Sequence, residues 1–201
     1  MILALLMCLA YFVGAIPTSF LVAKHVAKVD LREHGSKNLG ATNVYRVLGW
    51  KYAVPVGLFD VAKGFVPAYV FAPWAGPQHW YPIAVGLAAV LGHVFPVYLK
   101  FSGGKGVATA GGVVLGMAPA AMLICVLVWA VVVSVTGIVS VASMSAAMVF
   151  PLAVWILSPE RTTLFYTGVT IALFIVFNHR SNIRRLMGGT ESRFGHRRRE
   201  A

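Results

Sequence analysis

Residues 107–179 constrain this chain more than any other feature. Apart from Glu160 and Arg161 they contain no Asp, Glu, Lys or Arg. A soluble domain of 201 residues needs a polar surface, and here 59% of residues are apolar and 11% charged. An ordinary soluble domain carries roughly 25% charged residues. The chain cannot cover itself in water, which excludes a soluble globular protein, a disordered chain and a nucleic-acid-binding domain. Several membrane spans remain.

Pro119 and Gly137 divide the apolar run, giving expected helices over 107–118, 119–136, 138–157 and 160–178. The first piece falls short of the roughly 20 residues needed to cross a bilayer. It reads as a short or broken helix packed inside the bundle, where neighbours satisfy its backbone. Upstream lie apolar runs over 1–27, 52–71 and 80–99, the second closed by Pro73 and Pro77, the third anchored by Trp80 and Tyr81. The expected fold is all-α: a polytopic membrane helix bundle of about seven helices, one of them short or broken. It forms one integral membrane domain over 1–201, with a basic tail from about residue 180 and no internal repeat. The start lacks the basic stretch of a cleaved signal peptide, so the first helix is expected to stay. Cys8 and Cys125 lie in apolar runs and read as small packing residues, not a disulfide framework.

The net charge of +11 is a topology signal in such a chain. All basic residues but Lys63 and Arg161 fall in residues 24–51, 99–105 and 180–199. Seven crossings from an outside N-terminus put these three segments, and the C-terminus, in the cytoplasm. Six would split them between the two sides.

The same three segments hold the functional groups. The first runs from His34 to Arg46 and contains Gly35, Ser36, Asn38, Gly40, Thr42 and Asn43. Free N–H groups, hydroxyls, amides and an Arg suit an anionic oxygen cluster; the plainer reading is a solvated turn-rich loop. The second, Gly103-Gly104-Lys105-Gly106 before a helix start, has the physics of a phosphate cradle but not the spacing of a Walker A motif. The third runs from Asn178 to Glu191. His179 and Asn182 in it share a face if the last helix continues. A basic segment touching anionic lipid accounts for Arg197, Arg198 and Arg199, and poorly for His179, Asn182 and Glu191. Asp60 and Lys63, three apart within a span, read first as a structural ion pair and second as substrate ligands. His25 and Asp30 carry the His-x4-Asp spacing of a large acyltransferase class, which arises easily by chance in a chain with 6 His. No metal-ligand spacing and no Ser-His-Asp order appears, so the chemistry is expected to use neither a metal nor a serine nucleophile.

Together these segments resemble the bacterial acyl-phosphate:glycerol-3-phosphate acyltransferases, the PlsY family. The matching residues are Gly14-Ala15-Ile16-Pro17; Gly35, Ser36, Asn38, Gly40, Ala41, Thr42, Asn43 and Arg46; Asp60, Lys63 and Gly64; Gly92, His93, Phe95 and Pro96; Phe101 and Gly103 to Thr109; and His179, Arg180, Asn182, Ile183, Arg185, Leu186, Gly188 and Glu191. The resemblance spans nearly the whole chain. Lys37 and Leu39 depart from it, standing where the family usually has Gly and Pro.

The resemblance implies a multi-pass enzyme of the bacterial inner membrane with its site at the cytoplasmic face. The implied reaction moves a fatty acyl group from acyl-phosphate to the 1-hydroxyl of glycerol 3-phosphate, giving lysophosphatidic acid and phosphate, the first step of bacterial phospholipid synthesis. It implies no cofactor, and as partners the two substrates, membrane lipid and the enzyme that makes acyl-phosphate. By position in the motifs, Ser36, Asn38, Gly40, Thr42, Asn43, Gly103, Gly104, Ser143 and Glu191 join the substrate-binding set. Arg46 and Lys105 bind glycerol 3-phosphate, and His179 and Asn182 orient the attacking hydroxyl. The general base is either His179 or a substrate phosphate oxygen. A transporter of an organic phosphate is the alternative reading, since basic loops and a broken helix also suit anion transport.

Overall fold

A computed structural model describes residues 1–194; Arg197, Arg198 and Arg199 lie outside them. Every regular element among these residues is helical, and the chain divides into two compact units, residues 1–117 and 118–201. Five helical segments are long and apolar enough to cross a membrane: Ile2–Val26, Trp50–Ala75, Tyr81–Leu99, Pro119–Thr136 and Val139–Leu157. Thr162–Asn178 with Arg180–Met187 adds a sixth as a bent pair, and Val107–Met117 is the short apolar helix expected from the sequence.

The first unit holds α1 (Ile2–Ala15), α2 (Thr18–Val26), α3 (Ala41–Leu48), α4 (Trp50–Val66), α5 (Tyr81–Val94) and α6 (Val107–Met117). The first apolar run is not one regular helix. Pro17 brings no N–H, and Ile16 takes extended angles, so the run breaks between α1 and α2. The orphaned Ile16 carbonyl is satisfied by the Thr18 N–H at 3.0 Å and by Lys63 Nζ at 3.1 Å. Glycines set the packing. A methyl on Gly14 or Gly92 would strike the α5 or α1 backbone, and one on Gly64 or Gly112 the α6 or α4 backbone. Backbones therefore approach closely in both helix pairs, as dispersion-driven packing in lipid requires.

A second departure lies in the expected polar loop over 29–51, which contains α3. This short helix is polar on one face and buries Val44 among Ala23, Leu31, Leu39, Val56 and Leu99 on the other. The helix after it outlasts its expected end, passing from α4 through a π turn (Pro67–Phe71) and a 3-10 turn (Ala72–Ala75).

The second unit holds α7 (Pro119–Thr136), α8 (Val139–Leu157), α9 (Thr162–Asn178) and α10 (Arg180–Met187). Gly137, at φ +69°, turns α7 into α8. Large apolar side chains such as Leu123, Leu127, Val131 and Val135 stay exposed along α7, a face that a bilayer covers. The last apolar helix does not run straight on. It bends by 56° at His179, where α10 starts.

Candidate active site

Two loops of the first unit carry the first two polar segments. Asn43, in the first turn of α3 and almost fully buried, organises the loop before it. Its Nδ2 donates to the carbonyls of Leu31 at 3.2 Å and His34 at 3.0 Å, and its Oδ1 accepts the Ser36 N–H at 2.8 Å. Both amide protons are thereby spent. Asn43 thus braces the loop. Ser36, Asn38, Gly40, Thr42 and Arg46 remain half-buried around it.

The second loop folds back on the end of α5. The N–H groups of Gly103 and Gly104 donate to the carbonyls of Val94 at 3.0 Å and His93 at 3.1 Å. Gly104 sits so tightly that an added methyl would overlap the Leu39 carbonyl and the His93 ring. This contact brings the two glycine-rich segments together. Lys105 follows at half burial, and Gly106, at φ +81°, opens α6. Ser36, Thr42, Arg46 and Lys105 thus stand on two segments that meet at Leu39 and Gly104, with the hydroxyls and cations that suit a phosphate.

Asp60 and Lys63 do pair. Lys63 Nζ lies 2.8 Å from Asp60 Oδ1, off the angle of a regular hydrogen bond. His25 and Asp30 do not form a site. His25 Nδ1 meets the Leu21 carbonyl, while Asp30 takes the Arg32 guanidinium. The hydrogen bond from Arg32 brings the Asp30 carboxyl down to about 2.

In the second unit the third segment closes on Glu191. Gly188 and Gly189 turn the chain after α10, so the Glu191 carboxylate returns over that helix. Oε1 accepts from Ser140 Oγ at 2.8 Å and from Asn182 Nδ2, and Oε2 accepts from Arg185 Nε at 2.6 Å. Burial pushes the carboxyl up, but these three donors and the Arg185 charge more than offset it and leave it below its ordinary value of 4.5. Glu191 thus braces Asn182. His179 is buried, and its Nδ1 lies 2.7 Å from the Ile175 carbonyl. A carbonyl only accepts, so Nδ1 carries the proton and Nε2 the basic lone pair. Ser143, also buried, accepts from Trp129 Nε1 at 3.3 Å. Sequence reasoning missed Ser140, which carries no charge and sits in an apolar helix. It left His93 and Arg185 without roles, although both stand in the motifs.

The model of the glycerol-3-phosphate acyltransferase family matches residues 4–189. The chain belongs to that family. A glycerol-3-phosphate acyltransferase of Geobacter sulfurreducens is 45% identical, over 94% of this chain and 96% of its own length. One of Fusobacterium nucleatum is 42% identical over 92% and 95%. The crystal structure of PlsY, an integral membrane glycerol 3-phosphate acyltransferase, in its glycerol 3-phosphate form superposes with a TM-score of 0.89 at 41% identity, covering 96% of both chains. Its lysophosphatidic acid form gives 0.86 at 39% identity, over 96% of this chain and 95% of that one. The resemblance read from the motifs thus holds for family and fold, and the chain is an integral membrane acyltransferase. Lys37, which stands where the family usually has Gly, has φ +59°. Its backbone takes the left-handed region that glycine favours.

Proposed function

We propose that this enzyme transfers a fatty acyl group from acyl-phosphate to the 1-hydroxyl of glycerol 3-phosphate. The observation that carries the reading is the close likeness, along nearly the whole chain, to a solved acyltransferase whose two forms are named for glycerol 3-phosphate and lysophosphatidic acid. These are the acceptor and the product of the proposed reaction.

Acyl-phosphate is a mixed anhydride and already activated, so no covalent enzyme intermediate is needed. The 1-hydroxyl oxygen attacks the acyl carbon, the bond from that carbon to the phosphate oxygen breaks, and inorganic phosphate leaves. The hydroxyl proton goes to His179 Nε2 or to a phosphate oxygen. The imidazole tautomer set by the Ile175 carbonyl supports His179 as acceptor. Asn182, held by Glu191, orients the hydroxyl. Arg46 and Lys105 neutralise the glycerol 3-phosphate phosphate, while Ser36, Thr42 and the N–H groups near Gly40 hold the phosphate of the acyl-phosphate. Ser143 and Asn38 add a hydroxyl and an amide to the substrate-binding groups.

The enzyme acts as one domain of the bacterial inner membrane, N-terminus outside and C-terminus inside, with residues 28–50, 100–106 and 180–201 in the cytoplasm. The excess of Lys and Arg on those segments supports this orientation. A cytoplasmic or peripheral enzyme that makes acyl-phosphate supplies the donor.

Purified in detergent, the protein should convert acyl-phosphate and glycerol 3-phosphate to lysophosphatidic acid with stoichiometric phosphate, and should not use acyl-CoA. Lys105→Ala should lower kcat/KM by roughly 10²–10³. Robust use of acyl-CoA alone, or uptake of organic phosphate into sealed vesicles without product, would refute the reading.

A further inference from the structure

Three ionisable side chains, Asp60 and Lys63 of α4 and His93 of α5, lie together within membrane-spanning helices. All three are more than nine-tenths buried. Charged groups at that depth are costly, and they persist where they hold something in place. Lys63 reaches two acceptors, Asp60 Oδ1 at 2.8 Å and the Ile16 carbonyl at the break of the first span at 3.1 Å. His93 turns Nδ1 toward the same Asp60 oxygen, 3.8 Å away. The other edge of its ring faces the phosphate-type loop: His93 Nε2 is the nearest side-chain atom to the space a methyl on Gly104 would take. The His93 main chain holds the loop as well, since its carbonyl accepts the Gly104 N–H. A small cavity lined by Ser19, Asp60, Lys63, His93, Gly103 and Gly104 joins these groups.

We propose that Asp60, Lys63 and His93 form a positioning triad that fixes the Gly103–Gly106 loop, and so sets affinity for glycerol 3-phosphate through Lys105 without touching the substrate. Lys63 ties the triad to the broken first span, Asp60 faces the imidazole at 3.8 Å, beyond hydrogen-bond reach, and the imidazole is the floor on which Gly104 rests. The role of Lys105 in holding phosphate is that proposed above, and the inference rests on that reading. A purely structural ion pair would explain the Lys63–Asp60 contact and the Ile16 bond. It gives no reason for a histidine between the pair and the glycine loop.

The test uses the full-length enzyme in detergent, with kcat and both KM values measured for His93→Ala, His93→Gln, Lys105→Ala and the double variant. His93→Ala should raise the KM for glycerol 3-phosphate about tenfold, with kcat changed less than about threefold and the KM for acyl-phosphate unchanged. His93→Gln, which keeps a polar group of similar reach, should recover most of the loss. His93→Ala/Lys105→Ala should be no worse than Lys105→Ala, because residues acting through one another are not additive. Multiplying effects, or a His93→Ala variant that loses only thermal stability, would overturn the triad. Should His93→Ala not fold, Asp60→Asn/Lys63→Met removes both charges at similar volume, a replacement buried pairs often tolerate. It should raise the same KM severalfold, and a wild-type value would equally overturn the proposal. An unchanged KM in Lys105→Ala would instead sink the phosphate-site reading itself.

Discussion

Asn43 in the first unit and Glu191 in the second do the same job with opposite chemistry. Each is a single hub that holds a returning segment by three hydrogen bonds. The partners differ. Asn43 meets two carbonyls and one N–H, all main chain, so the hub must both donate and accept, and an amide does both. Glu191 meets a hydroxyl, an amide NH2 and a guanidinium, all able to donate, so an acceptor-only carboxylate fits. The identity of each hub follows from the count of donors and acceptors it serves. One consequence is electrostatic. The glycine loops proposed to bind phosphate are braced without adding negative charge, while the braced side chains of the second unit include an Arg whose charge Glu191 cancels.

The largest break in this comparison should come at Glu191. Glu191→Ala removes the acceptor that Ser140 and Asn182 share and the counter-charge of Arg185. The expected loss is about 2–4 kcal/mol of stability, with activity falling further as Asn182 loosens. Thermal unfolding in detergent alongside kcat measures both. Glu191→Gln is milder but still costly, because its NH2 meets donors. The charged hub also titrates. Its folded value lies below the ordinary 4.5, so its contribution is complete above 4.5 and is lost as pH falls through the lower folded value. Melting temperature against pH should therefore fall more steeply on the acid side for the wild type than for Glu191→Gln. Parallel curves would show that the carboxylate is not the hub described.

Asn43 should break differently. Asn43→Asp is nearly isosteric, yet it sets an oxygen against two carbonyls, at an expected cost of about 1–3 kcal/mol. Its effect should fall on the KM for glycerol 3-phosphate, since Arg46 stands on the same short helix as Asn43. Asn43 itself does not titrate, so this hub adds no acid limb of its own. A wild-type KM in a folded Asn43→Asp protein would remove the brace from the account.

This contrast also explains what was legible in the sequence. Helix limits could be read where one residue decides them: Pro119 and Gly137 cut the long apolar run where the structure does. The break at Pro17 was hidden because apolar residues flank it on both sides, and its freed carbonyl is served by Lys63, 47 residues away. α3 was hidden because its length and polarity match a loop, and its apolar face is defined only by α2 and α4 packing on it. For the site, residue types were readable and roles were not. Asn43 and Glu191 look like ligands in a motif, and only the positions of Leu31, His34, Ser140 and Arg185 turn them into braces.

The smallest effect, and the one of opposite sign, belongs to the turn before Asn43. Gly35 and Lys37 share the left-handed backbone region, at φ +60° and +59°. They differ in what surrounds them. A methyl on Gly35 would press on Asn43 Oδ1, the hub itself, whereas Lys37 is exposed. Holding an L-residue left-handed costs about 1–2 kcal/mol, and a glycine there avoids that cost while loosening the unfolded chain by about 0.4–1 kcal/mol. Lys37→Gly should therefore stabilise the protein by up to about 1 kcal/mol and leave the KM for glycerol 3-phosphate alone. Gly35→Ala should destabilise it and raise that KM, because the strain is passed to Asn43. Melting temperatures and KM values of the two variants, taken in one detergent, decide between backbone and hub. A rise in KM with Lys37→Gly would mean that the lysine charge itself draws the phosphate in, and the first unit would then depend on charge as the second does.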